Sequence, residues 1–136
     1  MMHVLKGLGA LTLVTLLAAG SAEAQRTHVI QMDGSAEQEE YSFAPATINA
    51  KAGDVLVFRV AGGGNHSVSF ESSIPAAARQ ALNAAMPNRV GDLRSPLLSR
   101  GSEYRVTLPA GIPAGRYRFF CLPHRAYDEV GYLVVQ

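Results

Sequence analysis

The chain holds a single cysteine, Cys121, so no disulfide can form within it. A lone thiol in an oxidising compartment is open to oxidation and to wrong pairing. Cys121 is therefore either a buried, inert core residue, as free cysteine often is, or a thiolate protected by a bound metal. Charge of one sign is lacking too. Lys and Arg number 12 and Asp and Glu 11, and the signs are scattered, which excludes the basic footprint of a nucleic-acid binder. After the first 24 residues Lys51 is the only lysine. No Arg-Arg pair precedes the apolar run near the start, and no cysteine lies near its end. Those absences leave a twin-arginine leader and a lipid anchor unsupported. No methionine follows Met86. There is no internal repeat and no low-complexity tail.

The start of the chain, Met1 to Ala24, reads as a secretory signal peptide. Lys6 and His3 make a weakly positive beginning, Leu8 to Ala19 is apolar, and Ala22-Glu23-Ala24 is a small-x-small cleavage site. The apolar run is shorter than the about 20 residues of a spanning helix, which favours a cleaved leader over a retained anchor. The expected mature domain is residues 25–136, periplasmic or secreted, with no membrane insertion after cleavage. Export would be of the unfolded chain, with any metal acquired outside the cytoplasm.

Most of the remainder reads as short strands. Thr27 to Met32 alternates, with His28 as a surface strand residue. Asp33 to Glu40 is polar and acidic and reads as a loop. Tyr41-Ser42-Phe43 leads into Ala44-Pro45, an edge or a bend. Ala46 to Ala50 is a short strand, Lys51 to Asp54 a turn, and Val55 to Val60 a strongly apolar strand. Ser67 to Phe70 alternates again. One helix fits between Pro75 and Pro87, with Ile74, Ala78, Ala81, Leu82 and Ala85 on one face and Met86 in the core. Tyr104 to Leu108, Arg116 to Phe120 and Val130 to Val135 complete the set. Strands of this length between Gly/Pro turns, with one short helix, predict an all-β sandwich.

Tyr117-Arg118-Phe119-Phe120-Cys121-Leu122-Pro123-His124 places a cysteine and a histidine three residues apart at the end of a strand. Both can point at one ion, and a thiolate with an imidazole suits copper or zinc. His66 stands at a loop-to-strand junction behind Gly62-Gly63-Gly64-Asn65, a glycine run that lets backbone pass close to a site. A sandwich can bring that junction beside the loop between the last two strands. Two histidines and one cysteine form the trigonal plane of an electron-transfer copper site.

Several motifs in order then resemble one family. These are Phe43-x-Pro45, Gly53-Asp54-x-Leu56-x-Phe58, Asn65-His66-x-Val68-x-Phe70, Gly115-x-Tyr117-x-Phe119-x-Cys121-x-Pro123-His124, and Gly131. Together they are similar to the cupredoxins, the small blue copper proteins of the plastocyanin and pseudoazurin kind. The resemblance runs from about Tyr41 to Val135 and implies a Greek-key sandwich holding one copper ion. It implies His66, Cys121 and His124 as the equatorial ligands. The sequence departs from the pattern where relatives place an axial methionine after the second histidine, because Glu129 stands there. Glu129 is then either a metal ligand or a solvated loop carboxylate, with the Asn65 carbonyl as an alternative axial contact. Ser67 replaces a frequent asparagine and can hydrogen-bond to the cysteine loop, as groups around metal ligands do.

The resemblance implies a one-electron carrier, not an enzyme, that acts as a monomer and cycles between Cu(I) and Cu(II). Redox protein partners are expected to dock near His124, where Leu122, Pro123, Ala126 and Tyr127 supply an apolar surround. Three other functions compete. One is a copper-binding protein that delivers its metal, which a hard axial carboxylate would suit. Another is a red-copper enzyme of the kind resembling nitrosocyanin, for which only Glu129 offers an acid–base group. The third is a cupredoxin fold that has lost its metal and serves as a binding module, against which the intact His66, Cys121 and His124 argue.

Overall fold

The computed structural model describes residues 23–136, and the signal-peptide reading lies almost wholly outside them. Two four-stranded sheets enclose the core. The first has the order β2-β1-β4-β6, built from β1 (Thr27–Ser35), β2 (Glu40–Ala44), β4 (Val55–Val60) and β6 (Glu103–Thr107). The second has the order β3-β8-β7-β5, built from β3 (Thr47–Ala50), β5 (Ser69–Phe70), β7 (Gly115–Phe120) and β8 (Val130–Val135). Both sheets are mixed. The β1–β4 and β3–β8 pairs are parallel, and the other pairs are antiparallel. The architecture is the expected all-β sandwich with one short α-helix.

Period-2 alternation explains which residues fill the sandwich. Ile30 and Met32 of β1, Leu56, Phe58 and Val60 of β4, and Tyr117 and Phe119 of β7 all point inward. Phe119 is the centre of an aromatic cluster. Its ring lies edge-on to Phe43 at 4.8 Å, Phe58 at 5.5 Å and Phe70 at 5.7 Å. Edge-to-face pairs add about 0.5–1.5 kcal/mol each beyond the area they bury. Gly131 faces Phe119 across β7 and β8. A Cβ at Gly131 would run into the Phe119 ring and come within 2.9 Å of the Ala46 carbonyl, so this strand position admits only glycine.

The helix α1 (Ala76–Ala85) lies between the two expected prolines and buries Ala78 and Leu82, with Ile74, Ala81 and Ala85 packed beside them. Met86 is in the core, as expected. Two local expectations need correction. Asp33 to Glu40 is not a loop throughout, because β1 runs on to Ser35 and β2 begins at Glu40, forming a hairpin. Cross-strand pairs from Gln31↔Ala44 to Ser35↔Glu40 supply the backbone partners that a polar composition could not reveal. Ser67 to Phe70 is shorter as a strand than its alternation suggested. Only Ser69 and Phe70 pair with β7, because the Val68 backbone bonds Ser95 instead and Ser67 bonds the cysteine loop.

One polar knot fastens the sandwich away from the cysteine. Asp54 accepts from the Arg26 N–H at 3.0 Å and the Lys51 N–H at 3.1 Å, and lies 2.9 Å from His28 Nε2. His28 therefore has a structural partner. Burial works against an ionised Asp54, but these hydrogen bonds outweigh it and hold its pKa down at about 2, from 3.8. A depressed carboxylate stabilises the fold above the unfolded value of 3.8 and loses that contribution as pH falls towards 2. Asp54→Ala is expected to cost about 2 kcal/mol at pH 7 in urea unfolding, because two N–H groups lose their acceptor. The difference from wild type should shrink below pH 3. Equal unfolding midpoints at pH 7 would show that the knot contributes nothing.

Candidate metal centre

Cys121 is the first residue past the end of β7. Its N–H donates to the Glu129 carbonyl at 3.0 Å, so the loop from Cys121 to Glu129 closes on itself. Inside it a 3-10 turn, Arg125–Tyr127, begins at His124 and ends at Asp128, whose φ of +55° is left-handed. The Tyr127 N–H donates to the His124 carbonyl at 3.0 Å. The turn carries His124 back over Cys121 and delivers Glu129 to the same point from the start of β8.

His66 arrives from the other side. Its backbone pairs with Leu98, N–H to carbonyl in both directions, at 3.0 and 2.8 Å. Ahead of it, Gly63 has a φ of +77° and packs against the Gly34 backbone, where a Cβ would come within 2.7 Å of the Gly34 nitrogen. That close approach places the Gly62 carbonyl 2.6 Å from His66 Nε2. A carbonyl only accepts, so Nε2 carries the proton and the ring presents Nδ1 inward. The expected role of the glycine run, a close backbone approach to the site, is realised in this bond.

The four side chains converge on one point. His66 Nδ1 lies 2.7 Å from Glu129 Oε1 and 3.1 Å from Oε2, and His124 Nδ1 lies 2.8 Å from Oε2. Cys121 Sγ is 3.4 Å from His124 Nδ1 and 3.9 Å from His66 Nδ1. One donor atom from each of the four falls within 4.8 Å of all the others. His66, Cys121 and Glu129 have no exposed surface, and the His124 side chain keeps 10%. Burial disfavours a charge on His66, but its bonds to Cys121, the Glu129 carboxylate and the Gly62 carbonyl prevail and raise its pKa from 6.5 to about 10. At 2.7 Å, His66 Nδ1 and Glu129 Oε1 are placed to share a proton. A metal ion takes the place of such protons.

Of the six residues singled out in the sequence, His66, Cys121, His124 and Glu129 meet. Glu129 is not a solvated loop carboxylate. Ser67 sits where expected: its N–H donates to Cys121 Sγ at 3.3 Å, and its Oγ accepts from the Leu122 N–H at 3.0 Å. This ties the His66 segment to the cysteine loop. Asn65 precedes His66 and is exposed. Two contributors escaped the sequence reading. The Gly62 carbonyl orients His66, and the Tyr41 ring stacks on His124 with centroids 3.7 Å apart and planes at 11°. A signal for Tyr41 existed, because it shares a strand face with core Phe43, two residues on.

The donor set fits copper. Two imidazole nitrogens and a thiol sulfur make the trigonal set of an electron-transfer site, and a carboxylate oxygen supplies a fourth, harder donor. A sandwich with this cluster at the end of β7 defines a copper-binding protein of the cupredoxin class. The family described as copper binding proteins, plastocyanin/azurin family, matches residues 30–136, and the chain belongs to it. Among its relatives is the chloroplastic plastocyanin of Pisum sativum, 32% identical over 119 residues, covering 87% of this chain and 66% of the pea protein. The plastocyanin of Vicia faba is 36% identical over 95 residues, covering 69% of this chain and 87% of its own. The fold matches the oxidised plastocyanin of Dryopteris crassirhizoma with a TM-score of 0.61 at 24% identity, covering 80% of this chain and 100% of that one. A Sinorhizobium pseudoazurin matches with a TM-score of 0.55 at 22% identity, over 82% and 75% of the two chains.

Proposed function

We propose that the protein is an exported one-electron carrier that holds a single copper ion between His66, Cys121, His124 and Glu129. The observation that carries this reading is the four-donor cluster, closed to solvent everywhere except at His124. Bound there, copper would supply a one-electron couple between Cu(I) and Cu(II). The chain's own residues then have distinct tasks. Gly62 and Glu129 fix the His66 ring. The Ser67 N–H donates to the sulfur and places the positive end of its dipole beside it. The β7–β8 pairing and the Ser67–Leu122 bond hold both sides of the site in one geometry, so little needs to move when charge changes.

His124 is the natural exit for the electron, since the other three groups are sealed in. Leu122 and Tyr127 beside it are 41% and 43% exposed, which suits docking of a redox protein at this end. Export rests on the leader read in the sequence. Among the described residues no helix is long and apolar enough to cross a membrane. The pea and bean relatives are named plastocyanins, which supports the carrier over an enzyme.

Copper delivery is a second reading, and Glu129 is the observation that favours it, because a hard oxygen donor suits the oxidised ion. One experiment separates the two. The copper-loaded protein is expected to exchange electrons with a soluble redox protein in stopped-flow mixing, reversibly and with the metal retained. Rapid loss of copper to an acceptor apoprotein, with no electron exchange, would overturn the carrier.

A further inference from the structure

The two histidines of the cluster are oriented by different means. His66 is held from behind by the Gly62 carbonyl on Nε2, as metal-binding histidines usually are. His124 has no such bond. Its Nδ1 faces Cys121 and Glu129, and no protein group among the described residues bonds its Nε2. It also sits on the 3-10 turn, where one closing bond, from the Glu129 N–H to its carbonyl, is 3.4 Å long. What meets the face of its ring is Tyr41, at 3.7 Å and nearly parallel.

Tyr41 is itself pinned. In β2 it pairs with Gly34 of β1, and a Cβ at Gly34 would collide with the Tyr41 ring. The bare Gly34 thus lets the phenol lie across the strand and reach over the site. Tyr127, from the metal loop, tilts against the same ring at 5.3 Å and 46°. The first sheet therefore contributes a group to a site whose four donors stand outside that sheet.

We propose that Tyr41 is a positioning residue of the metal centre: its stack takes the place of the missing Nε2 bond, keeps the His124 ring turned towards Cys121 and Glu129, and slows loss of copper. The inference rests on the reading of His66, Cys121, His124 and Glu129 as copper ligands. Aromatic pair contacts correspond to a factor of about two to twelve in an equilibrium constant. The ring provides that effect, not the hydroxyl, so phenylalanine should substitute for Tyr41.

The test uses Tyr41→Phe and Tyr41→Leu. In the metal-free protein, proton NMR should show the His124 ring protons shifted upfield by the Tyr41 ring current. That shift should survive in Tyr41→Phe and vanish in Tyr41→Leu. With copper loaded and reduced, transfer to an excess of a Cu(I) chelator should run about tenfold faster in Tyr41→Leu. In Tyr41→Phe it should stay within about twofold of wild type. Melting of the metal-free variants, measured alongside, separates a loosened fold from a loosened ligand. Release from Tyr41→Leu at the wild-type rate, or no upfield shift in the wild type, would overturn the role of Tyr41. Wild-type protein that takes up no copper would instead overturn the copper reading itself, while the shift still decides the stack.

Discussion

Cys121→Ser is expected to abolish the intense visible absorption of the Cu(II)-loaded protein and to weaken copper binding by more than any other single substitution. The thiolate is the soft donor of the set, and charge transfer from its sulfur to Cu(II) produces such a band. A serine hydroxyl is a poor anion near neutral pH and offers a hard oxygen. The loss should exceed the about 10–100-fold that follows removal of a group merely supporting a ligand. The fold should persist, because serine is a close match in size and its oxygen can accept from the Ser67 N–H that now meets Sγ at 3.3 Å. Spectra and copper titrations of both proteins, with circular dichroism of the metal-free forms, make the comparison. An unchanged band and equal affinity in Cys121→Ser would show that Cys121 is only a core residue.

Replacing Glu129 should produce two separable effects. The first is on the metal-free protein. Glu129 is sealed from solvent and contacts both imidazoles, at 2.7 Å to His66 and 2.8 Å to His124. Removing one partner of a buried ion pair leaves the other uncompensated, at a cost of about 3 kcal/mol. Glu129→Met should therefore lower the stability of the metal-free form at neutral pH by about that amount. The sign of the pH dependence follows from His66. Its folded pKa, about 10, stands above the ordinary 6.5, so its contribution is complete below 6.5 and lost as pH rises through 10. Wild type should lose stability across that window, and Glu129→Met should lose much less. Urea unfolding at pH 6, 8 and 10 reads both.

The second effect is on the loaded protein. A carboxylate oxygen is harder than the thioether that relatives place at this position, and it can carry a negative charge. It stabilises Cu(II) over Cu(I), so wild type should have a lower reduction potential than Glu129→Met. Glu129→Gln keeps the shape and removes the charge, and should fall between the two. Voltammetry of the three proteins at one pH decides the matter. Three equal potentials would mean that Glu129 orients the histidines and does not contact the metal.

The sequence by itself determined the strands whose residues alternate or run apolar, Val55 to Val60 and Val130 to Val135 foremost, because burial of one or both faces is written into the local pattern. It also pointed to His66, Cys121 and His124, since a lone thiol three residues from a histidine, with a second histidine at a loop-to-strand junction, makes a donor set for one ion, and the fold brings the three together. Tertiary structure alone decided the rest. Asp33 to Ser35 joined β1 because Ser42 to Glu40 offered backbone partners across the hairpin, a matter of pairing that polarity does not encode. Glu129 became a buried partner of two histidines, since its Oε1 and Oε2 reach His66, 63 residues away, and His124. Tyr41 came to lie on His124 only because Gly34, on the neighbouring strand, leaves the space for its ring. Each of these depends on what stands opposite in space, which residue type and local spacing do not specify.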